Sequence, residues 1–236
     1  MQFKLNKLNV FFGTLALLSI AYFGYAVFWC ISHYPGGYLL SEHFLSDLGT
    51  LHTRSGLENP NGRIFNRATV LLGFSCLAFF VCISFTLPYC RRLVGISGSF
   101  SGLGLVGIGS TPFDAYYIEH HVALAIWLVP MVVLVFAFLA SQFFGEKSPW
   151  TVGVILAISV ILFFAMGAYV FSGSLNGHVI FQKIVASIAV IWFFVVFISA
   201  SYSTIYFSSS RLMEIENQAV EYMKVIQNGH RRQNQP

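Results

Sequence analysis

The stretch VALAIWLVPMVVLVFAFLASQFF, residues 122–144, runs for 23 residues without a charged side chain. An α-helix rises about 1.5 Å per residue, so a helix of this length crosses the roughly 30 Å hydrocarbon core of a bilayer. A strand crosses the same core in only about 9–11 residues, and in lipid an unpaired strand leaves its backbone amides without partners. The stretch therefore predicts a membrane-spanning helix.

Five further stretches have a similar length and the same lack of charge: residues 8–31, 68–89, 93–111, 150–171 and 184–207. The whole chain is 56% hydrophobic and only 9% charged, whereas a soluble domain is about 25% charged. This composition excludes a water-soluble fold, and it also excludes disordered, collagen-like and coiled-coil chains. We predict an all-α polytopic membrane protein, with a six-transmembrane-helix bundle over residues 1–207 and an amphipathic tail over residues 208–236.

The distribution of basic residues predicts the orientation of the bundle. Of 13 Lys and Arg residues, nine lie on the side of the two termini and four on the opposite side. Cytoplasmic loops carry an excess of positive charge, so we expect both termini in the cytoplasm. The net charge of +4 accordingly reflects topology and anionic lipid, and no basic cluster with interleaved aromatic residues indicates a nucleic-acid partner.

The first connector on the predicted outer side, residues 32–67, is longer than the roughly 12–15 residues beyond which loops are usually functional or disordered. Its aromatic and aliphatic residues favour a structured segment on the membrane. If residues 40–48 are helical, His43 and Asp47 stand at i, i+4, where the carboxylate can orient the imidazole as a base or both can bind a metal. Ser46 would add a hydrogen-bond donor. The alternative for these residues is a helix cap or an interfacial hydrogen bond.

The second and third outer connectors add Asp114, His120, His121 and His178. His120 and His121 are about 100° apart around a helix, so only one of them can point into the bundle. With the first connector, these residues offer enough nitrogen and oxygen donors for a zinc site that activates water. His120, His121 and His178 are the predicted ligands, although no tight pattern such as H-E-x-x-H is present. A polar pocket without metal is the alternative.

The third span differs from the others in its glycines, which stand at positions 95, 98, 102, 104, 107 and 109. The G-x-G-x-x-G within it follows no strand, which excludes a dinucleotide fingerprint. Small residues at helical spacing allow helices to approach closely in a membrane, so we predict that this span is central and tightly packed. A second possibility is that the missing side chains leave room for a lipid chain.

The sequence FLSDLGT at residues 44–50, followed by Asn59-Pro60 and by Ile64-Phe65-Asn66, resembles the signature of the Frag/DRAM/Sfk-like membrane proteins. It also resembles a related prokaryotic six-span family of unknown function. The resemblance implies six helices and a link to membrane lipid, because relatives include lipid-remodelling factors and plasma-membrane lipid organisers. It assigns no reaction, and the cluster Glu119-His120-His121 departs from the eukaryotic pattern.

We therefore predict an outward-facing polar pocket that binds a membrane lipid. If the protein is an enzyme, the expected reaction is hydrolysis or transfer at an ester or amide of that lipid. In this hypothesis, His acts as base or zinc ligand and Asp orients it. The alternative is a non-enzymatic lipid sensor or scaffold. We expect the amphipathic tail over residues 208–236 to pack on the membrane surface or in a homo-oligomer. The predicted catalytic residues are His43, Ser46, Asp47, Asp114 and His120, and the predicted headgroup-binding residues are Arg63, Asn66 and Arg67.

Overall fold

A computed structural model of the chain describes residues 2–87, 89–144, 149–171 and 178–199. The described part contains six long helices, each apolar enough to cross a membrane. This confirms the predicted all-α, six-helix membrane architecture. The predicted tail, residues 208–236, lies outside the described residues. The helices are α1 (Gln2–Ser32), α2 (Gly62–Ser84), α3 (Arg91–Ser110), α4 (Tyr117–Phe144), α5 (Pro149–Phe171) and α6 (His178–Ser199).

At one end of the bundle, three helices begin well before the apolar stretches predict. Helices α2, α4 and α6 start at Gly62, Tyr117 and His178, whereas the stretches begin at residues 68, 122 and 184. Hydropathy locates the hydrocarbon boundary, but a helix continues into the headgroup region as long as its backbone hydrogen bonds hold. Each extension is five or six residues long, at the end of the bundle that carries residues 33–61. We call this end the connector side.

Helix α3 packs closely against α2 on one face and α4 on another. A Cβ added at Gly102 would lie 2.8 Å from the carbonyl oxygen of Gly73 in α2. A Cβ added at Gly104 would lie 2.4 Å from the backbone nitrogen of Trp127 in α4. The predicted tight packing of the glycine-rich span is thus confirmed, since these approaches exclude any side chain at either glycine.

The remaining core is aromatic and joins α6 to the other helices. Phe79, Phe80, Phe138, Trp192 and Phe197 are completely or almost completely buried, and the ring centroids of Phe79 and Phe197 are 4.4 Å apart. Because lipid offers polar groups no partners, a hydrogen bond between two buried side chains stabilises the contact of their helices. The hydroxyls of Ser19 and Ser75 are 2.7 Å apart, and the Trp192 indole donates to Ser159 at 2.9 Å.

The long connector is folded onto the ends of α1 and α2. It contains one short 3₁₀ helix, Leu45–Gly49. Leu48 is fully buried in a small second apolar cluster with Cys30, Tyr34 and Phe65. The connector therefore shares a small core with α1 and α2, as the prediction of a structured first loop requires.

Candidate functional site

The first connector is tied to two elements that are distant in sequence. The carboxylate of Asp114, between α3 and α4, accepts the backbone N–H groups of Leu51 at 3.0 Å and His52 at 2.9 Å. The amide oxygen of Gln182 in α6 accepts the N–H of Leu45 at 2.8 Å. Asp114 and Gln182 thus both bind backbone N–H groups of the connector and hold it in place.

Asp47 caps the 3₁₀ helix and pairs with an arginine. Its buried carboxylate accepts the N–H of Phe44 at 2.8 Å, and Nη2 of Arg54 lies 2.9 Å from the same oxygen. Phe44 has an extended backbone, so residues 40–48 do not form the continuous helix that an i, i+4 pair with His43 requires. The predicted helical pairing is wrong. The alternative, a helix cap, describes Asp47 correctly.

The side chain of His43 contacts Tyr34, Tyr38 and Leu39, all of the same connector. Its Nδ1 accepts the N–H of Leu39 at 3.0 Å, and its ring stacks on Tyr38 with centroids 5.3 Å apart. The hydroxyl of Tyr38 donates to the Phe44 carbonyl at 2.9 Å. Burial, and then the nearby Asp47 carboxylate, raises the pKa of Tyr38, which keeps the phenol protonated as a donor. Ser46 is buried within the 3₁₀ helix.

Lys183 also holds the connector against α6, a role that the sequence did not predict. Its ammonium donates to the carbonyl oxygens of Leu40 at 2.9 Å, Val179 at 3.2 Å and His43. The first and last of these carbonyls belong to the connector, so Lys183 binds the connector to α6. The sequence signal was a single lysine at the edge of an otherwise uncharged span.

The two adjacent histidines of α4 separate as helical geometry predicts. His120 is buried and His121 is exposed, and their ring centroids are 6.4 Å apart. The Nδ1 of His120 lies 2.7 Å from the carbonyl oxygen of Thr111 at the end of α3, which assigns its proton to Nδ1. His120 therefore joins the connector-side ends of α3 and α4.

The predicted zinc ligands do not assemble in the described residues. His178 begins α6, with its ring 5.7 Å from that of Tyr169 in α5, and Nδ1 of His121 lies 2.7 Å from the carbonyl oxygen of Tyr117. Among residues 2–87, 89–144, 149–171 and 178–199, no three His, Cys, Asp or Glu side chains lie close enough to share a metal ion. The described residues thus do not fit a zinc centre.

The predicted headgroup-binding residues have two different roles. The side-chain amide of Asn66 donates to the Gly49 carbonyl at 2.8 Å, so Asn66 fastens the connector to α2. Arg63 and Arg67 are exposed, one helical turn apart, at the connector-side end of α2. Only the two arginines keep the exposure that binding a headgroup requires.

A groove lies between α3 and α4, beside the glycine-rich span for which the sequence offered room for a lipid chain as a second possibility. Its volume is about 340 Å³, and its lining is almost entirely apolar. We call it the α3–α4 groove. The residues that line it are Phe100, Leu103, Gly107, Thr111, Ile118, Glu119, Val122, Ala123 and Ile126.

The groove exists because two small residues meet where the helices cross. A Cβ added at Gly107 would lie 2.7 Å from the Cβ of Ala123, so these two residues form a low floor. Phe100 and Val122 stand beside it with half of their surfaces exposed. The available sequence signal was the pair of small residues, one on each helix.

Comparison of the chain with protein-family models, curated proteins and solved structures found no match. The resemblance to the Frag/DRAM/Sfk-like proteins therefore stays a prediction.

If Asp114 holds the connector closed, Asp114→Ala will expose it to protease. Hydrogen bonds to charged groups contribute about 1.5–3 kcal/mol, so losing this acceptor should increase local opening by tenfold or more. We expect trypsin to cleave the purified protein after Arg54 at a rate at least about tenfold higher, as measured by mass spectrometry of the fragments. Trypsin should cleave the control variant Glu58→Gln, which changes an exposed carboxylate of the same connector, at the wild-type rate. Equal rates for both variants would contradict the fastening role.

Proposed function

We propose that the protein is a non-enzymatic, lipid-binding integral membrane protein whose ligand occupies the α3–α4 groove. The observation that carries this proposal is the groove itself, an apolar furrow on the lipid-facing surface of two spanning helices. Its exposed walls have no water to face in a bilayer, so their natural partner is an acyl chain.

The length of the groove suits a lipid from one leaflet. Its lining in α3 extends from Phe100 to Thr111, which corresponds to roughly 16 Å along a helix axis. One leaflet supplies about half of a hydrocarbon core of roughly 30 Å. A chain lying along the groove would therefore begin at the connector side and end near the bilayer centre.

The fastened connector supports recognition of a lipid rather than its hydrolysis. The carboxylates of Asp47 and Asp114 both accept backbone N–H groups of the connector. His120 holds Thr111, which lines the groove, through a hydrogen bond of 2.7 Å. The His120 hydrogen bond keeps Thr111 in place at the connector-side end of the groove, and pre-formed sites bind with a smaller ordering cost. Lipid hydrolysis or transfer stays a prediction from the sequence.

Filling the groove tests the proposal. In Val122→Trp, the indole occupies space that the chain would use. Displacing about two methylene contacts, at roughly 0.8 kcal/mol each, weakens binding about tenfold. Val129→Trp is the matched control, since Val129 is exposed on the same helix but does not line the groove. The measurement is phospholipid retained per protein after purification in mild detergent, by native mass spectrometry.

We expect Val122→Trp to retain about one tenth of the lipid that wild type and Val129→Trp retain. Ile118→Trp, at the mouth of the groove, gives a second test if Val122→Trp does not fold. Equal retention by all the folded variants would refute the lipid site.

A further inference from the structure

A single carboxylate marks the mouth of the α3–α4 groove. Among the described residues that line it, Glu119 alone is ionisable. Its side chain is exposed, and within the described part of the chain no Lys, Arg or His forms an ion pair with it. Asp47, by contrast, pairs with Arg54 and accepts a backbone N–H, and Asp114 accepts backbone N–H groups of the connector. Glu119 therefore presents to whatever occupies the groove a carboxylate that has no cationic side-chain partner among the described residues.

The position of Glu119 places this charge at headgroup level. It lies in the first turn of α4, between Ile118 and the chain-lining residue Val122. A carboxylate in the first turn of a helix interacts favourably with the helix dipole, which explains why a charged residue is tolerated at this position. The dipole does not explain why the charge borders an apolar groove sized for a lipid chain.

We propose that the groove selects a phospholipid whose headgroup carries a primary ammonium, such as phosphatidylethanolamine, and that Glu119 binds this ammonium. This inference rests on the proposed lipid-binding function. A primary ammonium offers three N–H donors to a carboxylate. A choline headgroup has the same charge but no N–H donor, and a glycerol headgroup leaves the lipid anionic and repelled by Glu119.

The test titrates delipidated full-length protein in detergent with three lipids that share the same acyl chains. Phosphatidylethanolamine, phosphatidylcholine and phosphatidylglycerol are added separately, and bound lipid is counted by native mass spectrometry. An exposed charge pair changes an equilibrium constant by up to about fivefold. We expect phosphatidylethanolamine to bind about fivefold more tightly than phosphatidylglycerol, with phosphatidylcholine between them.

Two substitutions at Glu119 separate headgroup selection from chain binding. Glu119→Gln should reduce the preference to nearly equal affinity, and Glu119→Lys should reverse it in favour of phosphatidylglycerol. Glu58→Gln removes an exposed carboxylate that does not line the groove, and it should leave the preference unchanged. Circular dichroism and gel filtration check that each variant is folded.

The outcomes distinguish this inference from the function on which it rests. If Val122→Trp loses lipid but Glu119→Gln and Glu119→Lys keep the wild-type preference, the groove binds lipid and the ammonium assignment is wrong. A wild-type protein that prefers phosphatidylglycerol, or that does not discriminate, also overturns the assignment. If Val122→Trp and Ile118→Trp keep all three lipids, the groove itself is not the site.

Discussion

Gly104→Ala should lower the free energy of unfolding by about 3 kcal/mol, at the upper end of the range for overpacked cores. The added Cβ would lie 2.4 Å from the backbone nitrogen of Trp127 and 2.6 Å from its Cα. Backbone atoms of a packed helix cannot rotate away as a flexible side chain can, so α3 and α4 must separate. Denaturant titration in detergent micelles, followed by tryptophan fluorescence, measures the loss.

Gly153→Ala is the control for the glycine substitution itself. Gly153 lies within α5, and an added Cβ would have no atom within 4 Å. Alanine is favoured over glycine inside a helix by up to about 1 kcal/mol, so this variant should equal or slightly exceed wild type. If Gly104→Ala is as stable as Gly153→Ala, the close approach of α3 and α4 does not hold the bundle together.

The parts of the fold that the sequence predicted are those that bilayer physics determines locally. Uncharged stretches located all six helices, because each must satisfy its own backbone in lipid. The glycine spacing located the closely packed span, because small residues permit backbone contact whichever neighbour is present. Helix ends were harder, since Gly62, Tyr117 and His178 begin helices in polar sequence. Hydropathy does not report helicity there.

The sequence did not predict the roles of the candidate site residues in the same way. Asp114 binds the backbone N–H groups of Leu51 and His52, and backbone amides are alike at every residue, so no residue type identifies the partner. Asp47 pairs with Arg54 across an irregular connector, where helical spacing gives no guidance. The α3–α4 groove arises from the crossing of two helices. Its shape depends on how the two helices pack, so the small residues Gly107 and Ala123 were the available indication of it in the sequence.

Asp47→Ala should lower the free energy of unfolding by about 2–4 kcal/mol. The Phe44 N–H loses a charged acceptor, which contributes about 1.5–3 kcal/mol. The ion pair with Arg54 adds about 1 kcal/mol or less, because 45% of the arginine side chain is exposed to solvent while only 4% of the aspartate is. Denaturant titration measures the total loss. Hydrogen exchange over residues 44–54 should show that the opening begins in the connector.

Asp47→Asn and Arg54→Met divide this effect into its two causes. Asp47→Asn keeps an oxygen that can accept from Phe44, so it should lose mainly the ion pair, as Arg54→Met does. A double-mutant cycle between them should give a coupling of about 0.5–1 kcal/mol. The same pair separates fastening from catalysis: a fastening role makes Asp47→Asn behave nearly as wild type, whereas a catalytic carboxylate cannot be replaced by an amide. Fatty acid released from lipid vesicles by wild type, but by neither Asp47 variant, would restore the hydrolase hypothesis, because the stability of Asp47→Asn would exclude misfolding as the cause.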